Sequence, residues 1–261
     1  MRRINSDETL RHLLLLLAAT AAFGSQSARA QARAGPLSSP VDETALQPKL
    51  GCADLRSLTG YEFTVESAVL IPASDDRPEY CRLRGQILPE IRFEVDLPAT
   101  WNRRFYMYGN GGYAGESLDN PQRGGPRIAG LRSGFVVAGT DTGHDAATEP
   151  LATFAQNRQK LLDYAFRSLH TTAETGKQIA TAYYGSKPAR SYFEGCSTGG
   201  RQALILAQRY PDDFDGIIAG APVLNFTGTM IGYAKNGASA GRGSHSVCQA
   251  GVACRPHLCP M

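Results

Sequence analysis

Hydrophobic and polar positions alternate in three early stretches of the chain. Tyr61, Phe63 and Val65 form the first, Leu83, Gly85 and Ile87 the second, and Ile91, Phe93, Val95 and Leu97 the third. A period of two over these lengths predicts strands with one buried face. Leu88-Pro89-Glu90 lies between the last two and predicts a hairpin turn. The pattern then changes. Phe105 to Tyr108 and Phe135 to Ala138 are short apolar runs, each opening into a polar or glycine-rich loop, as expected of buried strands. Leu162, Ala165, Leu169, Ala173, Gly176, Ile179 and Tyr183 recur at spacings of three and four, one face of a helix of about six turns. "ARSYFEG" predicts another strand, residues 198–208 a helix stopped by Pro211, and "GIIAGAP" a last buried strand.

Strands alternating with helices predict an α/β fold with a mostly parallel sheet covered on both faces, and the opening hairpin adds antiparallel strands at one edge. Residues 51–228 carry this pattern. Residues 31–50, with three prolines and little periodicity, read as a linker. From Asn225 onward neither period holds, and residues 229–261 read as an irregular tail rich in Gly, Ala, Ser, Arg and Cys. At the other end, Arg2, Arg3 and Arg11 precede the apolar run "LLLLLAATAAF" and the small-x-small site "ARA". Residues 1–30 therefore read as a secretory signal; the run is shorter than the ~20 residues that span a bilayer. The expected location is secreted or periplasmic, with no membrane partner after cleavage.

Composition adds little beyond exclusions. The net charge of +3, with no basic run, excludes a nucleic-acid partner. The six cysteines lack any C-x-x-C pair, so no metal site is expected, and in an exported chain they tend to pair.

The candidate chemistry sits in "YFEGCSTGGRQALILAQRYP". Gly195-Cys196-Ser197-Thr198-Gly199 matches G-x-S-x-G between a predicted strand and a predicted helix. In that setting the serine occupies a sharp turn, the flanking glycines keep side chains clear, and the helix N-terminus favours a developing oxyanion. Ser197 is the candidate nucleophile. "GNGGYAG", residues 109–115, follows an earlier strand, where Gly111 or Gly112 would supply a main-chain N–H beside that of Thr198. A phosphate loop is the alternative, but neither G-x-G-x-x-G nor a Walker lysine follows. Cys196 stands one place early to be the nucleophile, which leaves a buried thiol or a disulfide.

"WNRRFYMYGNGGYAG", "DTGH", "YFEGCSTGGRQALILAQRYPDDFDGIIAGAP" and the early Cys52 and Cys81 together resemble the tannase and feruloyl esterase family, over roughly residues 51–228. The resemblance implies an α/β-hydrolase fold and a secreted serine esterase that hydrolyses phenolic carboxylic esters, galloyl or feruloyl, through an acyl-enzyme. It implies a small aromatic ester as partner and no cofactor; the calcium of some members lies in a lid that has no counterpart here. It also implies a Cys52–Cys81 bridge, and a bond from the cysteine before the serine to one that follows the catalytic histidine.

The family pattern then breaks. On this fold the order is Ser, then Asp or Glu, then His. No Asp or Glu follows Asp215, and neither His245 nor His257 is followed by cysteine. Asp212, Asp213 and Asp215 read as a solvated turn, His170 as an exposed residue, and Asp141 with His144 as a loop that supports the cleft. Without its family partner, Cys196 is expected to be unpaired, or paired with a tail cysteine. The α/β-hydrolase domain is thus expected to be incomplete at its C-terminus, with the lid and last strands missing and the tail read out of frame. The alternative functional reading is an inert remnant of such an esterase, lacking the triad Asp and His; a peptidase or thioesterase on the same fold is a weaker one.

Overall fold

A computed structural model describes residues 44–240. The predicted signal and the tail beyond residue 240 lie outside the described residues. Seven strands form one sheet: β1 (Phe63–Ile71), β2 (Tyr80–Ile87), β3 (Ile91–Pro98), β4 (Arg104–Tyr108), β5 (Val136–Thr140), β6 (Arg190–Cys196) and β7 (Gly216–Gly220). Their spatial order is β1-β2-β3-β5-β4-β6-β7. The pairs β1-β2, β2-β3 and β3-β5 are antiparallel, and β5-β4, β4-β6 and β6-β7 are parallel. The hairpin at Leu88-Pro89 sets Ile87 opposite Ile91. The first strand starts two residues later than the alternation suggests, at Phe63, and Tyr61 is fully exposed.

The helices are α1 (Gly124–Arg132), α2 (Arg158–Leu162), α3 (Ser168–Tyr184), α4 (Thr198–Arg209) and α5 (Phe226–Ala240). A π-turn, Asp163–Arg167, joins α2 to α3, so the long predicted helix is one run with a wider turn inside it. Period-two alternation sorts the strand residues between two layers. Phe105, Met107 and Phe193 face Leu169, Ala173 and Ile179 of α3 and Ala203 and Leu206 of α4. On the opposite face Tyr108 and Val137 pack with Leu131 of α1. α1 carries little amphipathic signal, because its core side is built from Gly130, Leu131 and the guanidinium of Arg127.

That guanidinium belongs to a buried ionic ladder. Glu94 lies 2.7 Å from Arg84 Nε and 2.6 Å from an Arg127 nitrogen, and Asp96 lies 3.0 Å from Arg82 Nε. Burial beside Glu94 pushes Asp96 up to about 6. The ladder ties α1 to the antiparallel half of the sheet.

At one edge, Cys52 and Cys81 form a disulfide with Cα atoms 5.5 Å apart. It joins the short 3₁₀ helix Cys52–Ser57 to β2. Three expectations need correction, the last of them in part. Residues 44–50 are not a free linker: Leu46 pairs with Trp101 through two main-chain bonds, and Lys49 N–H donates to Tyr183 O. Trp101 is fully buried and stacks on Tyr184 at 4.5 Å, so it offers this segment a fixed partner. The tail is not irregular from residue 229, since α5 runs to Ala240. Asn225 Oδ1 accepts from Gly228 N–H at its start, and Phe226 packs edge-on against Tyr113 and Tyr164. This capping contact and the aromatic anchor replace the missing periodicity. The turn at 212–215 is solvated only in part: Asp212 and Asp215 are exposed, but Asp213 is buried, and Asp215 accepts Ser191 N–H at 2.8 Å.

Candidate active site

The chain leaves β4 through α1 to β5 on one side, then returns through α2 and α3 to β6 on the other. The C-terminal end of β4 is therefore a topological switch point, where open α/β sheets hold their ligands. The glycine-rich loop follows β4, and Ser197 follows the neighbouring β6. Connectivity alone brings these two segments together.

β6 ends at Cys196 and α4 begins at Thr198, so Ser197 makes the turn by itself. Its φ of 59° and ψ of −115° place a non-glycine residue in a region that costs about 1–3 kcal/mol. Three main-chain bonds hold it there. Ser197 N–H donates to Gly220 O at 3.0 Å, and Ser197 O accepts from Arg201 N–H at 3.0 Å and Val223 N–H at 3.4 Å. The side chain is exposed. Two of the neighbouring glycines are required by close approach. A Cβ on Gly195 would lie 2.4 Å from Gly199 C and O, and one on Gly200 2.3 Å from Gly220 O.

Ser197 shares a cavity of about 560 Å³ with Tyr106, Tyr108, the loop 109–112, Arg123 and Glu194. Sequence reasoning missed the polar groups that shape this loop. Asn110 N–H donates to Gln202 Oε1 at 2.9 Å, and Gln202 Nε2 donates back to Asn110 Oδ1 at 3.2 Å, lacing the loop to α4. Thr198 Oγ1 donates to Gly112 O. Glu116 accepts from Gly111 N–H at 2.9 Å, from Asn110 Nδ2 at 3.0 Å and from Arg123 at 3.0 Å. The N–H of Gly111, one of the two expected oxyanion donors, is therefore already engaged. The glycines themselves were legible in the chain; their acceptor was not, because nothing in the local pattern marks Glu116 as the residue that folds back onto them.

His144 is not among the residues that line the cavity holding Ser197. It lines a separate cavity of about 270 Å³ with Glu66, Arg84, Asp119 and Asp141. The ring is buried, stacks on Phe154 at 3.9 Å, and has Nδ1 3.4 Å from Thr142 Oγ1. Burial pushes its pKa below the usual imidazole value. Asp141 Oδ1 accepts from Arg92 N–H at 3.0 Å and Gly143 N–H at 2.8 Å, and its main-chain O accepts from Gly115 N–H. These bonds tie the loop to the end of the glycine segment at Gly115. Burial pushes Asp141 up to about 7.

His170 is not an exposed residue. Its Nδ1 lies 2.8 Å from Asp213 Oδ2, its Nε2 3.2 Å from Glu174, and its ring stacks on Tyr210 at 3.9 Å. Asp213 precedes β7, so this cluster stands at the sheet end opposite Ser197. Cys196 is not unpaired: it is disulfide-bonded. Among the described residues no group of three or more His, Cys, Asp or Glu side chains is arranged to hold a metal. Nor, among them, is any helix long and apolar enough to cross a membrane.

The chain is similar to known proteins. The family model described as tannase and feruloyl esterase matches residues 79–250, extending past the expected end of the domain at 228. A probable feruloyl esterase B-2 of Aspergillus flavus is 43% identical over 136 residues, covering 52% of this chain and 25% of the relative. The mono(2-hydroxyethyl) terephthalate hydrolase of Piscinibacter sakaiensis is 38% identical over 162 residues, covering 56% of this chain and 27% of the relative. The crystal structure of an esterase from Aspergillus oryzae aligns with a TM-score of 0.61 at 30% identity, covering 71% of this chain and 39% of that one. The chain spans between a quarter and a third of the length of the curated relatives it matches. With the match extending over more than half its length and the hydrolase-type sheet beneath it, the chain belongs to the tannase and feruloyl esterase family.

Proposed function

We propose that the chain carries the nucleophile of an exported serine esterase acting on small aromatic carboxylic esters. The observation that carries this reading is the backbone of Ser197, held at positive φ on an exposed turn between β6 and α4. A structural turn would relieve that strain with glycine; a serine there is explained by the use of its hydroxyl. Ser197 Oγ attacks the ester carbonyl and its proton passes to a base. The alcohol leaves with a proton, and water then cleaves the acyl-enzyme to release the acid. The oxyanion is met by Thr198 N–H, which as the first residue of α4 has no intrahelical acceptor, and by Gly112 N–H. The aromatic substrate class rests on likeness to relatives named for feruloyl and terephthalate esters. Export is supported by the disulfides at Cys52–Cys81 and at Cys196.

One observation favours a second reading. Among the described residues no histidine lines the cavity that holds Ser197. A chain without a base in that cavity would bind esters and turn them over poorly, since losing triad members costs up to roughly 10⁶ in turnover. The test is labelling of the 261-residue chain with a fluorophosphonate, beside hydrolysis of methyl ferulate and methyl gallate, with Ser197→Ala as control. Slow Ser197-dependent labelling with little turnover supports a chain that holds the nucleophile without its base. Turnover lost in Ser197→Ala supports the full esterase. Labelling that survives Ser197→Ala sinks both.

A further inference from the structure

Glu116 is an odd residue to find beside a site built to stabilise negative charge. Its carboxylate holds the glycine loop and lines the same cavity as Ser197, where an oxyanion would feel its repulsion. Two features resolve the conflict. Arg123, itself buried, donates to Glu116 at 3.0 Å and to Thr140 O at 3.1 Å, so the carboxylate is paired. And both Glu116 oxygens are spent on the loop, Oε1 on Gly111 N–H and Oε2 on Asn110 Nδ2.

The consequence lies one peptide further on. Glu116 fixes the peptide plane that ends in Gly111 N–H. Thr198 Oγ1, at the head of α4, fixes the plane that begins with Gly112 O. The peptide between them carries Gly112 N–H and is held from both ends. Gly112 sits there at φ +49°, with open space where a Cβ would stand. Without Glu116 only one end is tied, and glycine itself offers no resistance to rotation.

We infer that Glu116, paired to Arg123, is a positioning residue for the oxyanion loop: it anchors Gly111 N–H so that Gly112 N–H stays aimed at the carbonyl attacked by Ser197. This rests on the esterase reading above. The test uses Glu116→Ala and Glu116→Gln in the full chain, with two readouts. The first is amide hydrogen exchange at Gly111, which needs no activity. The second is fluorophosphonate labelling resolved into a limiting rate and a probe affinity. In Glu116→Ala the Gly111 amide exchanges about tenfold faster or more, and the limiting rate falls about 10- to 100-fold with probe affinity little changed. Glu116→Gln keeps an acceptor oxygen for Gly111 and recovers most of both. A merely structural role predicts something else: a smaller labelled fraction at an unchanged limiting rate. That result, an unchanged Gly111 amide, or wild-type labelling kinetics in Glu116→Ala overturns the inference. Wild-type protein that labels no faster than Ser197→Ala defeats the esterase reading itself, and the positioning role with it, before any Glu116 variant is made.

Discussion

Asp141 is a buried carboxyl whose two amide donors do not make up for lost water, and Asp141→Asn isolates that deficit. Burial raises its pKa from 3.8 to about 7. The folded protein thus keeps a proton that the unfolded chain has already released. Its contribution to stability is fully present below about pH 4 and is lost as pH rises through about 7. The whole displacement corresponds to about 4 kcal/mol, of which about 3 kcal/mol falls between pH 5 and 8. Asparagine keeps an oxygen for Arg92 N–H and Gly143 N–H, at 3.0 and 2.8 Å in the native protein, and has no proton to lose. Urea unfolding of both proteins from pH 5 to 8 at fixed ionic strength reads the difference directly, because Asp96 and every other titrating group cancel. The stability of Asp141→Asn relative to wild type should rise by about 3 kcal/mol over that span. A flat difference, or one that falls with pH, would show that Arg92 and Arg123 keep the carboxylate charged and that desolvation is not the dominant effect.

Three further perturbations test other parts of the structure. Glu94→Ala strips the carboxylate from three guanidinium groups at once and should cost about 3–5 kcal/mol in chemical denaturation, whereas an exposed carboxylate such as Glu62 should cost under about 1. Removing the Cys52–Cys81 bridge by paired alanine substitution frees a loop of 29-residue separation and should cost about 3–4 kcal/mol. Gly200→Ala drives a methyl against Gly220 O, the same oxygen that accepts Ser197 N–H. It should cost about 1–3 kcal/mol and slow probe labelling at Ser197, so an unaffected labelling rate would mean that β7 does not support the turn.

The parts of this protein that the sequence determined are those with local causes. Alternation at Ile91, Phe93, Val95 and Leu97 reads as a strand because successive side chains point to opposite faces, and the three-and-four spacing from Leu162 to Tyr183 reads as a helix for the corresponding reason. The turn at Ser197 is legible because only small neighbours tolerate the approach of Gly195 to Gly199. The helices at 124–132 and 226–240 were not legible in this way. The first is held by Arg127 inside an ionic ladder, and the second by a cap at Asn225 and by Phe226 among distant aromatic rings. Tertiary structure also decided which polar groups meet. Glu116 reaches Gly111, Gln202 reaches Asn110, and His170 reaches Asp213, in two cases across more than 40 residues of chain. Such contacts leave no periodic trace, because each needs only one side chain of the right length at the right place once the sheet order has been set. The strand order itself, with β6 set directly beside β4, is what puts the glycine loop beside Ser197, and that order is fixed by how whole layers bury their faces against one another.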